Sequence, residues 1–296
     1  NDQGWGSESH LPRHGWIAQG QSDASAEKRE KIANTIYGGR GIGANPAQTV
    51  NYASCHDNWT LTDQLYYTLG QDGHGANAYN VKDGVLAVES LIFASNGVAF
   101  MLGGEELLRQ KEIKKSEMTA QEFEDIPVDS YEEMYDHLMS HNSYNSPLVV
   151  NSFKWGNKLS VTIDNVTLDT YSMNLTGTFA NLVSLHKRLP KYNLEQTEAI
   201  KSVTTKGNPV SSISWAGNEG DNNGAMGIQF DEYFIYAAAR NFGYVHAKSA
   251  AIWGAPIYTC GTTGYDNTNF TVNVGDEGNG WGLALAIYNA KGARAE

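Results

Sequence analysis

At 296 residues, with 41% hydrophobic and 11% aromatic side chains, the chain can hold one large domain or two ordinary ones, each with a real core. Its 33 acidic against 21 basic residues leave a net charge of −12, which argues against nucleic acid or an anionic membrane surface as partner and favours a neutral or cationic ligand. The two cysteines, Cys55 and Cys260, have no Cys or His at metal-ligand spacing, so neither a disulfide framework nor a zinc site is indicated, and no apolar run is long enough to span a membrane.

In chain order, residues 1 to 45 are rich in Gly, Ser, His and charge, and Ser25 to Tyr37 reads as a helix closed by Gly38-Gly39. Val50 to Cys55 reads as a buried strand, with Cys55 an unpaired thiol inside it. Its end opens into an adjacent imidazole, carboxylate and carboxamide, His56-Asp57-Asn58, as a strand does when it runs into a polar cleft. Taken alone, the pair has a plainer reading, in which Asp57 caps the helix that follows.

Asn77 to Asn96 carries Val81, Val85, Val88 and Ile92 on one helical face, widened by Leu86 and Leu91. Val98 to Leu102 then reads as a fully buried strand. Strand, helix, strand, helix is the order a parallel α/β architecture requires, because parallel strands need a crossover. Lys111 to Asp136 has alternating charge blocks and no strong apolar stripe, which predicts a solvated helical excursion. His137 and His141 stand at helical i, i+4 spacing but lack a third ligand and the intervening Glu of a metal motif.

Leu159, Val161 and Ile163 alternate as in a hairpin, and Phe179, Leu182, Val183, His186 and Leu189 form a helical face closed by Pro190. From about Tyr192 onward the pattern is all-β. Alternating runs at Ile228-Phe230, Phe270-Val272-Val274 and Leu283-Leu285-Ile287 are separated by clusters such as Gly217 to Gly224 and Gly275 to Gly280, which predicts a β-sandwich.

Three stretches carry a resemblance. Asn51-Tyr52…His56-Asp57-Asn58…Thr60-Leu61 resembles the fourth signature region of the α-amylase superfamily (glycoside hydrolase family 13), at the end of barrel strand seven. Gly97 to Arg109, with Gly103-Gly104-Glu105-Glu106, resembles strand eight of the same barrel. Asn142-Ser143-Tyr144-Asn145-Ser146-Pro147 looks like the following loop in type I pullulanases. The resemblance implies the C-terminal part of a debranching enzyme: residues 1–190 as the last repeats of a (β/α)8 TIM barrel, strands seven and eight with insertions, and 191–296 as a C-terminal β-sandwich.

Retaining glycoside hydrolysis uses two carboxyl groups about 5 Å apart, one nucleophile and one acid then base. The superfamily adds a third acid that favours the distorted, transition-state sugar over the ground state. The resemblance assigns that role to Asp57, with His56 donating to the same sugar and Asn58 orienting the loop or contacting the next unit. Tyr144 and Asn145 would stack on and hydrogen-bond a sugar near the scissile linkage; the plainer alternative is a rigid turn finished by Pro147. Glu105 and Glu106 would support the barrel rim through groups such as Arg109.

No arginine here is followed two residues later by Asp, the nucleophile motif, and no Glu stands in the family's Glu–Trp acid/base motif. By resemblance those belong to strands four and five and would precede Asn1, so this chain alone is expected to be inactive, its partners being the upstream part of the same enzyme and an α-glucan such as pullulan, amylopectin or limit dextrin. No cofactor is required; Asp and Asn are abundant, but no EF-hand-like spacing indicates a structural calcium ion. The composition leans toward a secreted or cell-surface location. Two alternatives stay open: an α-1,4-acting amylase relative, and a non-catalytic glucan-binding or structural protein.

Overall fold

The computed structural model describes residues 11–12, 48–71, 78–95, 97–169 and 175–188, and beyond them the backbone of strands between residues 210 and 289. The helix expected at 25–37 and the boundary near 190 lie outside the described residues. In chain order the elements are β1 (Val50–Asn51), α1 (Leu61–Gln71), α2 (Ala78–Ala94), β2 (Val98–Ala99), α3 (Ala120–Glu124), β3 (Tyr131–Met134), β4 (His137–Ser140), α4 (Leu148–Asn151), β5 (Ser160–Ile163), β6 (Val166–Asp169) and α5 (Leu175–Arg188). The later strands are β7 (Val210–Ala216), β8 (Ala225–Phe230), β9 (Tyr233–Ala238), β10 (Tyr244–His246), β11 (Thr271–Asn273) and β12 (Leu285–Asn289). The chain divides into two compact units, one of residues 1–18, 53–85 and 101–179, the other of residues 19–52, 86–100 and 180–296.

In the first unit, α1 starts where Thr60 accepts the Asp63 N–H on its hydroxyl (3.1 Å) and the Gln64 N–H on its carbonyl (3.0 Å). Leu61, Leu65, Tyr66 and Leu69 follow at helical spacing and are all buried. The expected helical excursion at 111–136 is different in kind. It has a small core of Ile113, Ile126 and Val150, flanked by Met118, Phe123, Tyr131, Leu138 and Val149. Only α3 is an α-helix there, opened by a Thr119–Glu122 capping box, and the rest is 3-10 turns and the antiparallel β3–β4 hairpin.

His137 and His141 therefore lie on and just after a strand, not on one helical face. The sequence hid the hairpin because its turn is Tyr135-Asp136, with Tyr135 at φ 56°, a conformation that costs a non-glycine residue about 1–2 kcal/mol. Contacts remote in sequence offset that cost: the Tyr135 hydroxyl donates to the Tyr67 carbonyl (2.6 Å) and its ring packs edge-on against Tyr66. The β5–β6 hairpin, in contrast, has Asp164 and Asn165 at φ 48° and 62°, the residue types and conformations of a type I′ turn, and it lies where the alternation of Val161 and Ile163 put it.

The second unit contains the parallel pair β1–β2, in register Val50 to Val98 and Asn51 to Ala99. The ladder ends where Phe100 N–H donates to the Asn51 carbonyl (2.9 Å), so the expected strand Val50 to Cys55 stops at Asn51. Cys55 is not inside a strand. It lies in the following turn, partly exposed, its thiol facing the Asp57 carbonyl at 3.8 Å. Nor is the second strand fully buried. Val50, Tyr52, Val98 and Phe100 share one face of the ribbon and are 43–54% exposed, no further strand covering that face among the described residues; the Tyr52 and Phe100 rings meet edge-on at 6.0 Å. Farther along, β7 to β9 and β12 form a four-stranded antiparallel sheet in the order β12-β9-β8-β7, and β10 pairs with β11. The alternating runs at 228–230, 270–274 and 283–287 fall on β8, β11 and β12.

Candidate functional site

Beyond β1 the chain bends at Ala53 and presents His56 and Asp57 to solvent, His56 Nε2 lying 3.3 Å from Asp57 Oδ2. Their side chains are 85% and 62% exposed, so as an ion pair they contribute little to stability; their value is accessibility. Asp57 does not cap α1, because Thr60 does. The plainer reading of Asp57 thus loses its basis.

Asn58 takes φ 62°, a left-handed conformation that Asn tolerates better than other non-glycine residues and that reverses the chain after Asp57. Two buried residues from elsewhere hold this turn. The Lys111 ammonium donates to the His56 carbonyl (2.7 Å) and the Asn58 carbonyl (3.0 Å), those of the residues on either side of Asp57, while Lys111 itself is 1% exposed. Ser54 donates its hydroxyl to Glu105 Oε1, and Glu105 Oε2 accepts the Leu102 N–H (3.1 Å).

Lys111 is in turn fixed by α1. Its backbone N–H donates to Asp63 Oδ2 (3.1 Å), and Asp63 is fully buried. Burial pushes the Asp63 carboxyl from its ordinary 3.8 up to about 7, against the opposing pull of hydrogen bonds from Thr60 and Lys111 and of the Lys111 charge. Burial likewise lowers the Lys111 ammonium, opposed by Asp63 first among the surrounding acids. Trp59, 2% exposed, packs its ring on His141 at 5.2 Å and closes the base of the turn.

Tyr144 and Asn145 lie on a separate 3-10 turn, both exposed, Tyr144 to 83%. The turn is built on a buried neighbour: Ser143 Oγ donates to Asn151 Oδ1 (2.8 Å), and Asn151 Nδ2 donates back to the Ser143 carbonyl (2.7 Å). Asn151 also offers its carbonyl to Arg109 Nη2 (2.6 Å). Among the described residues, no hydrogen bond or ring contact joins Tyr144 or Asn145 to the His56–Asn58 turn. The charges of Glu105 and Glu106 act on Arg109, while their hydrogen bonds go to other groups. Arg109 donates to the carbonyls of Gly103 and Asn151, while Glu105 serves Ser54 and Leu102, and Glu106 accepts the Gly104 N–H.

Sequence reasoning missed Lys111, Asp63 and Ser54. Thr60-x-x-Asp63 has the spacing of a helix-start signature and was there to be read. Lys111 had no local signal, standing at the head of a run of charges that reads as solvated.

The fold that carries this turn is shared with solved pullulanase structures. The pullulanase of Paenibacillus barengoltzii, solved in complex with maltohexaose and α-cyclodextrin, matches 94% of this chain and 35% of its own, at 16% identity and a TM-score of 0.55. Sequence similarity points to proteins of the same name. The chain is 36% identical over 89 residues to the pullulanase of Klebsiella pneumoniae (30% of this chain, 8% of that one) and 27% identical over 163 residues to the pullulanase of Klebsiella aerogenes (52% and 13%). It thus spans only a small part of these relatives' length. No family model matches the chain.

Proposed function

We propose that the chain forms part of a debranching glycoside hydrolase that cleaves α-1,6-glucosidic bonds of pullulan, starch or glycogen with retention. The observation that carries this reading is the exposed His56–Asp57 pair on a turn after β1, relieved of helix capping by Thr60 and braced from behind by the buried Lys111. In this reading Asp57 binds hydroxyls of the distorted sugar and favours the transition state, His56 donates to the same sugar, and Asn58 shapes the turn. Tyr144 and Asn145 contact the sugar across the scissile bond. The nucleophile and the acid/base belong to a part of the enzyme outside these residues.

The uncovered face of β1 and β2 supports the same reading. Parallel strands are normally covered on both faces, and Val50, Tyr52, Val98 and Phe100 are the residues that neighbouring barrel strands and their interior layers would bury. Residues 1–190 would then be the last barrel repeats and 191–296 a sandwich, of which the antiparallel β7–β9 and β12 sheet is one layer.

The test is Asp57→Asn in the enzyme with its barrel complete. Turnover on pullulan should fall by about a hundredfold or more, the scale for losing one transition-state contact. Turnover near wild type would remove Asp57 from the mechanism and with it this reading.

A further inference from the structure

The Lys111 side chain is an unusual tenant of a core. The residue is 1% exposed, and its ammonium donates to two carbonyl oxygens, those of the residues on either side of Asp57. A buried charge is costly unless it is held by groups that substitute for water, and two carbonyls from residues i and i+2 can converge on one ammonium only if the intervening chain is tightly turned. The left-handed Asn58 supplies that turn. Lys111 cannot drift, because its backbone N–H is tied to Asp63 on α1, whose carboxyl is fixed next to the Thr60 cap. A chain of contacts thus runs from the start of α1 through Lys111 to the carbonyls of the residues on either side of Asp57, while the Asp57 side chain stays exposed and meets His56 Nε2.

We infer that Lys111 is a positioning residue for Asp57: its ammonium clamps the His56 and Asn58 carbonyls and thereby fixes the direction in which the exposed Asp57 carboxylate points. The inference rests on the proposed role of Asp57, and it adds a residue that touches no substrate. Lysine suits the task because a compact ammonium on a flexible stem can reach two carbonyls from a remote backbone position. A misplacement of about 1 Å at a reacting group costs about a hundredfold in rate, so a clamp of this kind acts on turnover far more than on substrate affinity.

The experiment has two arms. On the present chain, backbone amide exchange at Cys55 to Trp59 is compared among wild type, Lys111→Met and Lys111→Gln, with the β5–β6 hairpin as internal reference. Exchange in the turn should quicken about tenfold in the Met variant, and less in the Gln variant, which retains an N–H donor group, while the hairpin stays unchanged. Equal exchange in all three would overturn the clamp whatever Asp57 does; if the Met variant does not fold, the Gln variant alone decides.

On the enzyme with its barrel complete, Lys111→Met should lower kcat by about a hundredfold with KM within about threefold. In an Asp57→Asn background the same substitution should cost almost nothing more, because both changes disable one unit. Equal losses in both backgrounds would show Lys111 to be merely structural and overturn the inference. An Asp57→Asn enzyme with full turnover would sink the proposed function separately, and the exchange arm would still judge the clamp.

Discussion

Thr60 Oγ1 accepts the backbone N–H of Asp63 at 3.1 Å, which makes Thr60 the cap of α1 and leaves Asp57, three residues earlier, without a structural duty on that helix. Stability and activity should therefore separate between these two positions. Thr60→Ala should lower unfolding free energy by about 1 kcal/mol, the usual worth of an N-cap. Asp57→Asn, at an exposed site, should change it by no more than about 0.5 kcal/mol. Urea titrations of the two variants check this, and a larger loss for Asp57→Asn would restore the carboxylate to a structural role.

The buried Asp63 makes stability depend on pH. Its carboxyl titrates near 3.8 in the unfolded chain and at about 7 in the folded one, so between those values the folded state binds the extra proton. Its contribution is fully present below about pH 4 and is lost as pH rises through about 7. Asp63→Asn, which keeps an acceptor for the Lys111 N–H, should remove that slope. Unfolding free energies measured from pH 4 to 8 should converge toward a flatter profile in the variant; the same slope in both proteins would contradict the raised carboxyl.

Gly70 offers a test of the α1–hairpin packing. In most helices Gly→Ala stabilises by up to about 1 kcal/mol. Here a Cβ would collide with the Tyr135 hydroxyl and ring, so Gly70→Ala should instead cost about 1–3 kcal/mol and loosen the β3–β4 hairpin. Gly156, where a Cβ meets nothing within 4 Å, is the control, and Gly156→Ala should stay within about 0.5 kcal/mol of wild type. Thermal melts of both variants decide; a stabilised Gly70→Ala would mean that Tyr135 does not sit against α1.

The proposed function assigns bond specificity to Tyr144, which is 83% exposed on a turn braced by Ser143 and Asn151. An α-1,6 branch has an extra rotatable carbon, so the acceptor chain leaves at its own angle and needs its own contacts. The enzyme with its barrel complete should convert pullulan mainly to maltotriose. Tyr144→Ala should leave the melting temperature unchanged and weaken branched substrates more than a small activated glucoside. Panose or isopanose as main product would signal α-1,4 cleavage, and equal losses on both substrates would take Tyr144 out of the acceptor site.

What the sequence by itself determined was whatever depends on near neighbours. The helix at 78–94, the hairpin around Val161 and Ile163, and the strands β8, β11 and β12 were legible because periods of 3.6 and 2 are local properties. The motif His56-Asp57-Asn58 was legible for the same reason, as a resemblance over a dozen consecutive residues. The tertiary structure alone decided the rest. The 111–136 segment reads as solvated charge, yet it encloses Ile113 and Ile126 with Val150, a core assembled from residues too far apart to leave a periodic trace. Likewise, nothing around Lys111 distinguishes it from its neighbours Lys114 and Lys115. Its role follows from a fold that brings it against carbonyls more than fifty residues earlier, where water is excluded and those carbonyls take its place around the charge.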